Sequence, residues 1–182
     1  MATRPDKPTA PTAYGRALAR LARRDHSAAE MRRALRRAGH GDTEVERVVA
    51  RLTAERYLDD AGLAARYARS RIAGQGLGRN RVRAGLRVRG VARATAEAGL
   101  REALAEVSEA AALDALARRY WRQHTAEAAP PRRLQKLWAF LLRRGFPAGL
   151  VGERLRRLWP RHRDALEGLE PLELDCAVDG AE

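Results

Sequence analysis

The sequence predicts an all-α protein of three tandem three-helix repeats forming an elongated, curved helical stack. Three observations predict it. The 182 residues hold one isoleucine (Ile72), nine valines and seven threonines, while Ala, Leu and Arg abound; that alphabet favours helices over strands. The segment 30–39 recurs at 81–90 and 136–145, each copy ending in a glycine (Gly39, Gly90, Gly145) with a leucine four residues earlier (Leu35, Leu86, Leu141). Apolar residues then follow each glycine at offsets of 6 and 10, as Val45 and Val49, Ala96 and Leu100, Val151 and Leu155, which is one stripe of a helix. Units that can bury such stripes only against neighbours stack into arrays.

The elements follow in order. Residues 1–12 read as a disordered tail, 13–56, 57–105 and 106–160 as the three repeats, and 161–182 as an acidic tail. A first helix over 12–24 carries Leu18 and Leu21 on one side. Ser27 with Glu30 three residues later forms a capping box that opens the second helix, the hydroxyl taking an orphan amide while the carboxylate reaches back. Gly39 ends that helix, because glycine enters the left-handed region without a Cβ clash. Thr43 and Glu46 have the same box spacing before the third helix. Asp60 is placed to cap the helix it opens, over 60–73, with Leu63, Ala64, Tyr67, Ala68 and Ile72 on its apolar face. A break at 74–78 precedes the fifth helix, and the sixth holds Ala96 and Leu100. The seventh, over 108–124, aligns Leu113, Leu116, Tyr120 and Trp121. After a break at 125–131, Pro130 and Pro131 open the eighth helix and Pro147 starts the ninth, positions where a missing amide costs nothing.

Charge is unevenly distributed. Residues 164–182 hold seven acids and no Lys or Arg, so the first 163 residues carry 36 basic and 16 acidic side chains, a net +20. A body that basic attracts a polyanion such as nucleic acid or an acidic protein surface. The tail either competes for that surface or simply solubilises a chain end. Only Lys7 and Lys136 are lysines; a GC-rich genome accounts for the arginine bias but not for the net charge. No apolar run approaches the roughly 20 residues of a membrane span, so no membrane partner is expected. The first 12 residues have no apolar signal-peptide core. The single cysteine, Cys176, excludes an internal disulfide framework and fits a reducing, cytoplasmic compartment.

No catalytic constellation emerges, and no cofactor or metal is expected. His26, His40, His124 and His162 are scattered, none spaced as a ligand pair on a helix face. Cys176 lies among acids that raise rather than lower a thiol pKa. Asp59 and Asp60 suit helix capping better than a divalent ion. Gly74, Gly76 and Gly78 suggest a phosphate loop only superficially, since no lysine follows and no strand precedes. Trp121, Trp138 and Trp159 could stack on bases, but Trp138 shares a stripe with Leu134 and Leu141 and reads as core.

The second helix of each repeat carries outward arginines. They are Arg32, Arg33, Arg36 and Arg37, then Arg79, Arg83 and Arg87, then Arg132, Arg133, Arg143 and Arg144. Spacing of four puts Arg79, Arg83 and Arg87 on one face. A solvated face explains any one of them; repetition in all three units favours a binding stripe. The rival is a helix-turn-helix regulator. Its reading helices would begin with Glu44 and Glu46, or Glu97, acids that phosphates repel.

Particular motifs resemble the RecX family. Residues 22–31, containing Arg23, Arg24, Asp25, His26, Ser27, Glu30 and Met31, resemble its opening. Tyr57, Leu58, Asp59 and Asp60, followed by Ala65, Tyr67, Ser70, Arg71 and Gly76, resemble its centre. Lys136, Leu137 and Trp138 with Gly145 and Phe146 are similar to its third repeat, so the resemblance covers 14–159. Arg56 stands where the family usually has glycine, Leu63 where it has an aromatic residue, and Leu77 where proline is common. The resemblance implies a non-enzymatic, cytoplasmic, monomeric modulator of the RecA recombinase. Such a protein lies in the groove of the RecA–single-stranded DNA filament and inhibits ATP hydrolysis, strand exchange and co-protease activity. It adds Arg71 to the expected contacts with filament or DNA, duplex DNA being a second candidate. The alternative is a sequence-nonspecific DNA-binding protein that acts without RecA.

Overall fold

A computed structural model describes residues 12–125 and 130–167; the expectations for residues 1–11 and for the tail from 168, Cys176 included, lie outside them. The helices are α1 (Ala13–Leu21), α2 (Ala28–Arg37), α3 (Asp42–Ala54), α4 (Asp60–Arg69), α5 (Arg79–Val88), α6 (Arg93–Glu106), α7 (Glu109–Gln123), α8 (Pro130–Arg143), α9 (Ala148–Leu158) and α10 (Arg163–Glu167). A π-helical turn at Ser70–Gly74 prolongs α4, and a 3₁₀ turn spans Pro160–His162. No strand occurs among the described residues. The fold is therefore all-α and built of three-helix repeats. The short α10 adds to the nine expected helices; it lies in the segment assigned to the acidic tail, and its Leu166 is fully buried in the third repeat's core.

Two compact units divide the chain, Met1–Tyr67 with Gly85–Arg101 and Ala68–Ala84 with Glu102–Glu182. In the first, Ala13, Ala17, Met31, Leu35, Val45, Val49 and Leu52 close a core between α1, α2 and α3. In the second, Leu113, Leu134, Leu137, Leu141, Phe146, Val151 and Leu155 do so between α7, α8 and α9. Each such leucine contributes about 1.5–3 kcal/mol of hydrophobic free energy on burial.

The three turn glycines behave alike: Gly39, Gly90 and Gly145 have φ of +87°, +79° and +87°. The residue before the Tyr57-Leu58 pair does the same without being glycine. Arg56 has φ +60°, and beyond it Tyr57 donates its amide to the Leu52 carbonyl at 2.9 Å. Helix α3 thus ends in a left-handed residue that carries a Cβ, a strained choice.

Several capping expectations are met and two are corrected. The Ser27–Glu30 capping box is complete. The Thr43–Glu46 box does not form: α3 starts at Asp42 after Gly41, without a side-chain cap, and Glu46 is drawn to α2 by Arg32 and Arg36. Asp60 does not cap its own helix. Asp59 does, accepting from the Gly62 amide at 3.0 Å, as Thr12 and Ser108 do for α1 and α7.

Asp60 instead caps the helix of the preceding repeat, accepting from the Ala28 amide at the start of α2 at 2.9 Å. Glu109, the first residue of α7, does the same for α5, accepting from the Arg79 amide at 2.7 Å. Ala28 and Arg79 both lie 11 residues before their turn glycines, so one joint is built twice. A second bond accompanies each cap. Ser27 Oγ donates to the Arg89 carbonyl at 2.6 Å; the Gly78 amide donates to the Arg144 carbonyl at 2.9 Å. Backbones approach so closely at the latter joint that a Cβ on Gly78 would collide with Gly145 and Phe146, and one on Gly145 with Arg81.

Candidate nucleic-acid interface

The joints consume part of the arginine set. Glu109 is 4% exposed; besides the Arg79 amide it accepts from Arg79 Nε at 2.6 Å. A buried carboxylate needs such a partner, so Arg79 holds the second unit together. Arg33 donates to the Val88 and Arg89 carbonyls at 3.4 and 3.3 Å. Arg144 donates to the Gln75 carbonyl at 3.3 Å and lies 5.4 Å from the Phe140 ring centre.

On α2, Arg32 pairs with Glu46 at 2.9 Å and Arg36 with Asp42 at 2.6 Å and Glu46 at 3.2 Å. Glu46, one of the acids that argued against α3 as a reading helix, thus neutralises part of the basic face of its neighbour, while Glu44 lies 3.2 Å from His40 Nδ1. Arg71 bonds Gln75 on the π turn and Arg83 bonds Asn80 at 3.0 Å. Arg133 stacks over Trp121 with its guanidinium 3.8 Å from the ring centre. Arg37, Arg87, Arg132 and Arg143 are exposed and have no ion-pair or hydrogen-bond partner among the described residues. Their charge is not neutralised within the described residues.

Other exposed arginines escaped the sequence reading. Arg47 on α3, Arg93 and Arg101 on α6, Arg118, Arg119 and Arg122 on α7, and Arg156 and Arg157 on α9 are likewise unpartnered among the described residues. No local signal marks them: Glu44 lies three residues from Arg47, Glu97 four from Arg93 and Arg101, Asp114 four from Arg118, and Glu153 three and four from Arg156 and Arg157, spacings at which helix partners normally sit. Trp138, 8% exposed, is core as expected, whereas Trp121 and Trp159 are only partly buried.

Two of the displaced titratable groups, Glu30 and His26, lie at the start of α2. Burial alone would raise the Glu30 carboxyl. Bonds from Arg89, the Ser27 amide and Arg24 outweigh it and hold the group down to about 2. Burial lowers the His26 imidazole, helped by nearby Arg24, although its Nδ1 lies 3.0 Å from the Arg24 carbonyl. Both belong to the first joint rather than to a reacting centre. No cluster of three or more His, Cys, Asp or Glu among the described residues could hold a metal ion. No described helix is long and apolar enough to cross a membrane.

The molecule is thus a helical-repeat protein whose notable surface chemistry is cationic. Family models described as the first, second and third three-helix domains of RecX match residues 13–52, 59–100 and 108–155. A protein of Pseudomonas putida named "Regulatory protein RecX" is 36% identical over 137 residues, covering 74% of this chain and 83% of that protein. One of the same name from Trichlorobacter lovleyi is 31% identical over 138 residues, covering 76% and 90%. The crystal structure of RecX from Lactobacillus salivarius superposes with a TM-score of 0.70 at 18% identity, covering 80% of this chain and 94% of that one, a likeness of fold. The chain belongs to the RecX family.

Proposed function

We propose that this chain is a non-enzymatic, cytoplasmic, monomeric regulator that binds the RecA–single-stranded DNA filament in its helical groove and restrains RecA ATPase, strand exchange and co-protease activity. The observation that carries the reading is the match of all three repeats to RecX domains, together with relatives named as regulatory proteins. Its physical support is a body of net +20 in which Arg37, Arg87, Arg132 and Arg143 lack internal partners among the described residues. Weak phosphate contacts spread over linked repeats gain avidity, so none need be strong. Of the arginines named from sequence, those four are the foremost contacts. Arg32, Arg36, Arg71, Arg83, Arg133 and Arg144 contribute by exchanging an internal contact for a filament one, and Arg79 contributes by shaping the joint.

The test is RecA's DNA-dependent ATPase with this protein added below stoichiometry. The expected result is inhibition; an unchanged rate of hydrolysis and of strand exchange would refute the reading. A second reading, DNA binding without RecA, draws on the same net charge. It requires a steep salt dependence on naked DNA and an effect that persists when RecA is absent.

A further inference from the structure

Within the second unit, the end of α7 and the end of α9 enclose a cleft of about 240 Å³ lined by Arg118, Trp121, Arg122, Leu158 and Trp159. Its floor is aromatic: the Trp121 and Trp159 ring centres are 4.7 Å apart at an interplanar angle of 40°. Its rim is cationic: Arg118 and Arg122, one helical turn apart, are exposed and unpartnered among the described residues. A third guanidinium, that of Arg133, already lies 3.8 Å from the Trp121 ring centre. Among the described residues, no carboxylate lines the cleft.

A core rim alone does not account for this combination. Indoles at the edge of a core are ordinarily bordered by whatever polar residues solubilise the surface, acids included. Here the polar lining among the described residues is guanidinium, with the His162 ring 6.4 Å from that of Trp121, although this chain places an acid beside Arg32, Arg36, Arg51, Arg66 and Arg154. Aromatic faces flanked by unneutralised arginines are the chemistry that binds a nucleobase and its phosphate together, the ring stacking while the guanidinium takes the anion. Duplex DNA has no free base face to offer, so the arrangement suits a single strand.

We propose that the Trp121–Trp159 cleft is a stacking subsite for a base of single-stranded nucleic acid, with Arg118 and Arg122 on the adjacent phosphates. The proposal deepens the filament-binding reading by naming a site for the strand, and its test leaves RecA out, so either can fail alone.

The experiment titrates a thymidine oligonucleotide into the full chain and follows tryptophan fluorescence. Trp138, buried beneath the surface, supplies an unresponsive background. The expected result is saturable quenching whose amplitude falls in Trp159→Phe. The paired change Arg118→Glu with Arg122→Glu, on exposed positions that leave helicity by circular dichroism intact, should weaken binding about tenfold or more. The paired change Arg20→Glu with Arg47→Glu, equal in charge but at exposed positions on α1 and α3, should keep the quenching amplitude. Binding that leaves the fluorescence unchanged overturns the proposal, as does unchanged affinity in the Arg118–Arg122 variant. A third result overturns it too: fluorescence that responds to deletion of residues 168–182 but not to the oligonucleotide would make the chain's own acidic segment the occupant.

Discussion

Replacing Arg79 by alanine separates the structural from the binding role of an arginine that the sequence groups with Arg83 and Arg87. The Glu109 carboxylate is 4% exposed. It receives the Arg79 amide at 2.7 Å and Nε at 2.6 Å, with Nη2 2.5 Å away. Truncation keeps the amide bond and removes both guanidinium contacts, stranding a buried charge. Breaking a buried pair from one side costs about 3–5 kcal/mol. The Arg79 side chain is itself 38% exposed, and water reaching it trims the loss to about 2–3 kcal/mol. The assay is urea unfolding followed by circular dichroism at neutral pH, with Arg87→Ala as control because Arg87 is exposed and unpartnered among the described residues. Arg79→Ala should unfold at clearly lower urea and Arg87→Ala within about 0.5 kcal/mol of the parent. The double change Arg79→Leu with Glu109→Leu should recover much of the loss, since neither charge remains to be desolvated. Equal midpoints for Arg79→Ala and Arg87→Ala would refute the reasoning and return Arg79 to the surface set.

Other outcomes follow from the same geometry. Arg56→Gly should stabilise the protein by about 0.5–1 kcal/mol in thermal unfolding, because it relieves a Cβ at φ +60°. Gly39 and Gly145 share φ +87°, yet a Cβ at Gly39 meets nothing within 4 Å and one at Gly145 meets the Arg81 backbone. Gly39→Ala should therefore cost about 1 kcal/mol and Gly145→Ala about 2–4 kcal/mol, the difference measuring the joint. Glu30, held down to about 2 from an ordinary 4.5, stabilises the fold above pH 4.5. That contribution, about 1 kcal/mol after solvent screening, should vanish as pH falls toward 2. Glu30→Gln, which keeps the cap, should flatten acid unfolding over that window.

The repeat and its turns were legible because their causes are local. A leucine stripe, a glycine four residues beyond Leu35, Leu86 or Leu141, and the Ser27–Glu30 box all act within one or two helical turns. The joints were not legible, because Asp60 caps a helix 32 residues upstream and Glu109 one 30 residues upstream. At sequence level each looks like an ordinary acid in a first turn, where the helix dipole already explains it. The Thr43–Glu46 spacing failed for a related reason: Arg32 and Arg36 across the α2–α3 turn offer Glu46 a charged partner, which outbids a neutral amide. The candidate interface was legible as charge but not as an address. Which arginines keep a free guanidinium depends on acids brought near by folding, and this moved Arg79 inward and brought Arg118 and Arg122 into view.

The most direct measurement is co-sedimentation of the full chain with preformed RecA filaments on single-stranded DNA at physiological salt. The protein should pellet with the filament and saturate. A variant with Arg37, Arg87, Arg132 and Arg143 all changed to glutamate should remain largely in the supernatant while folding normally. A parent chain that stays in the supernatant at every filament concentration would contradict the account.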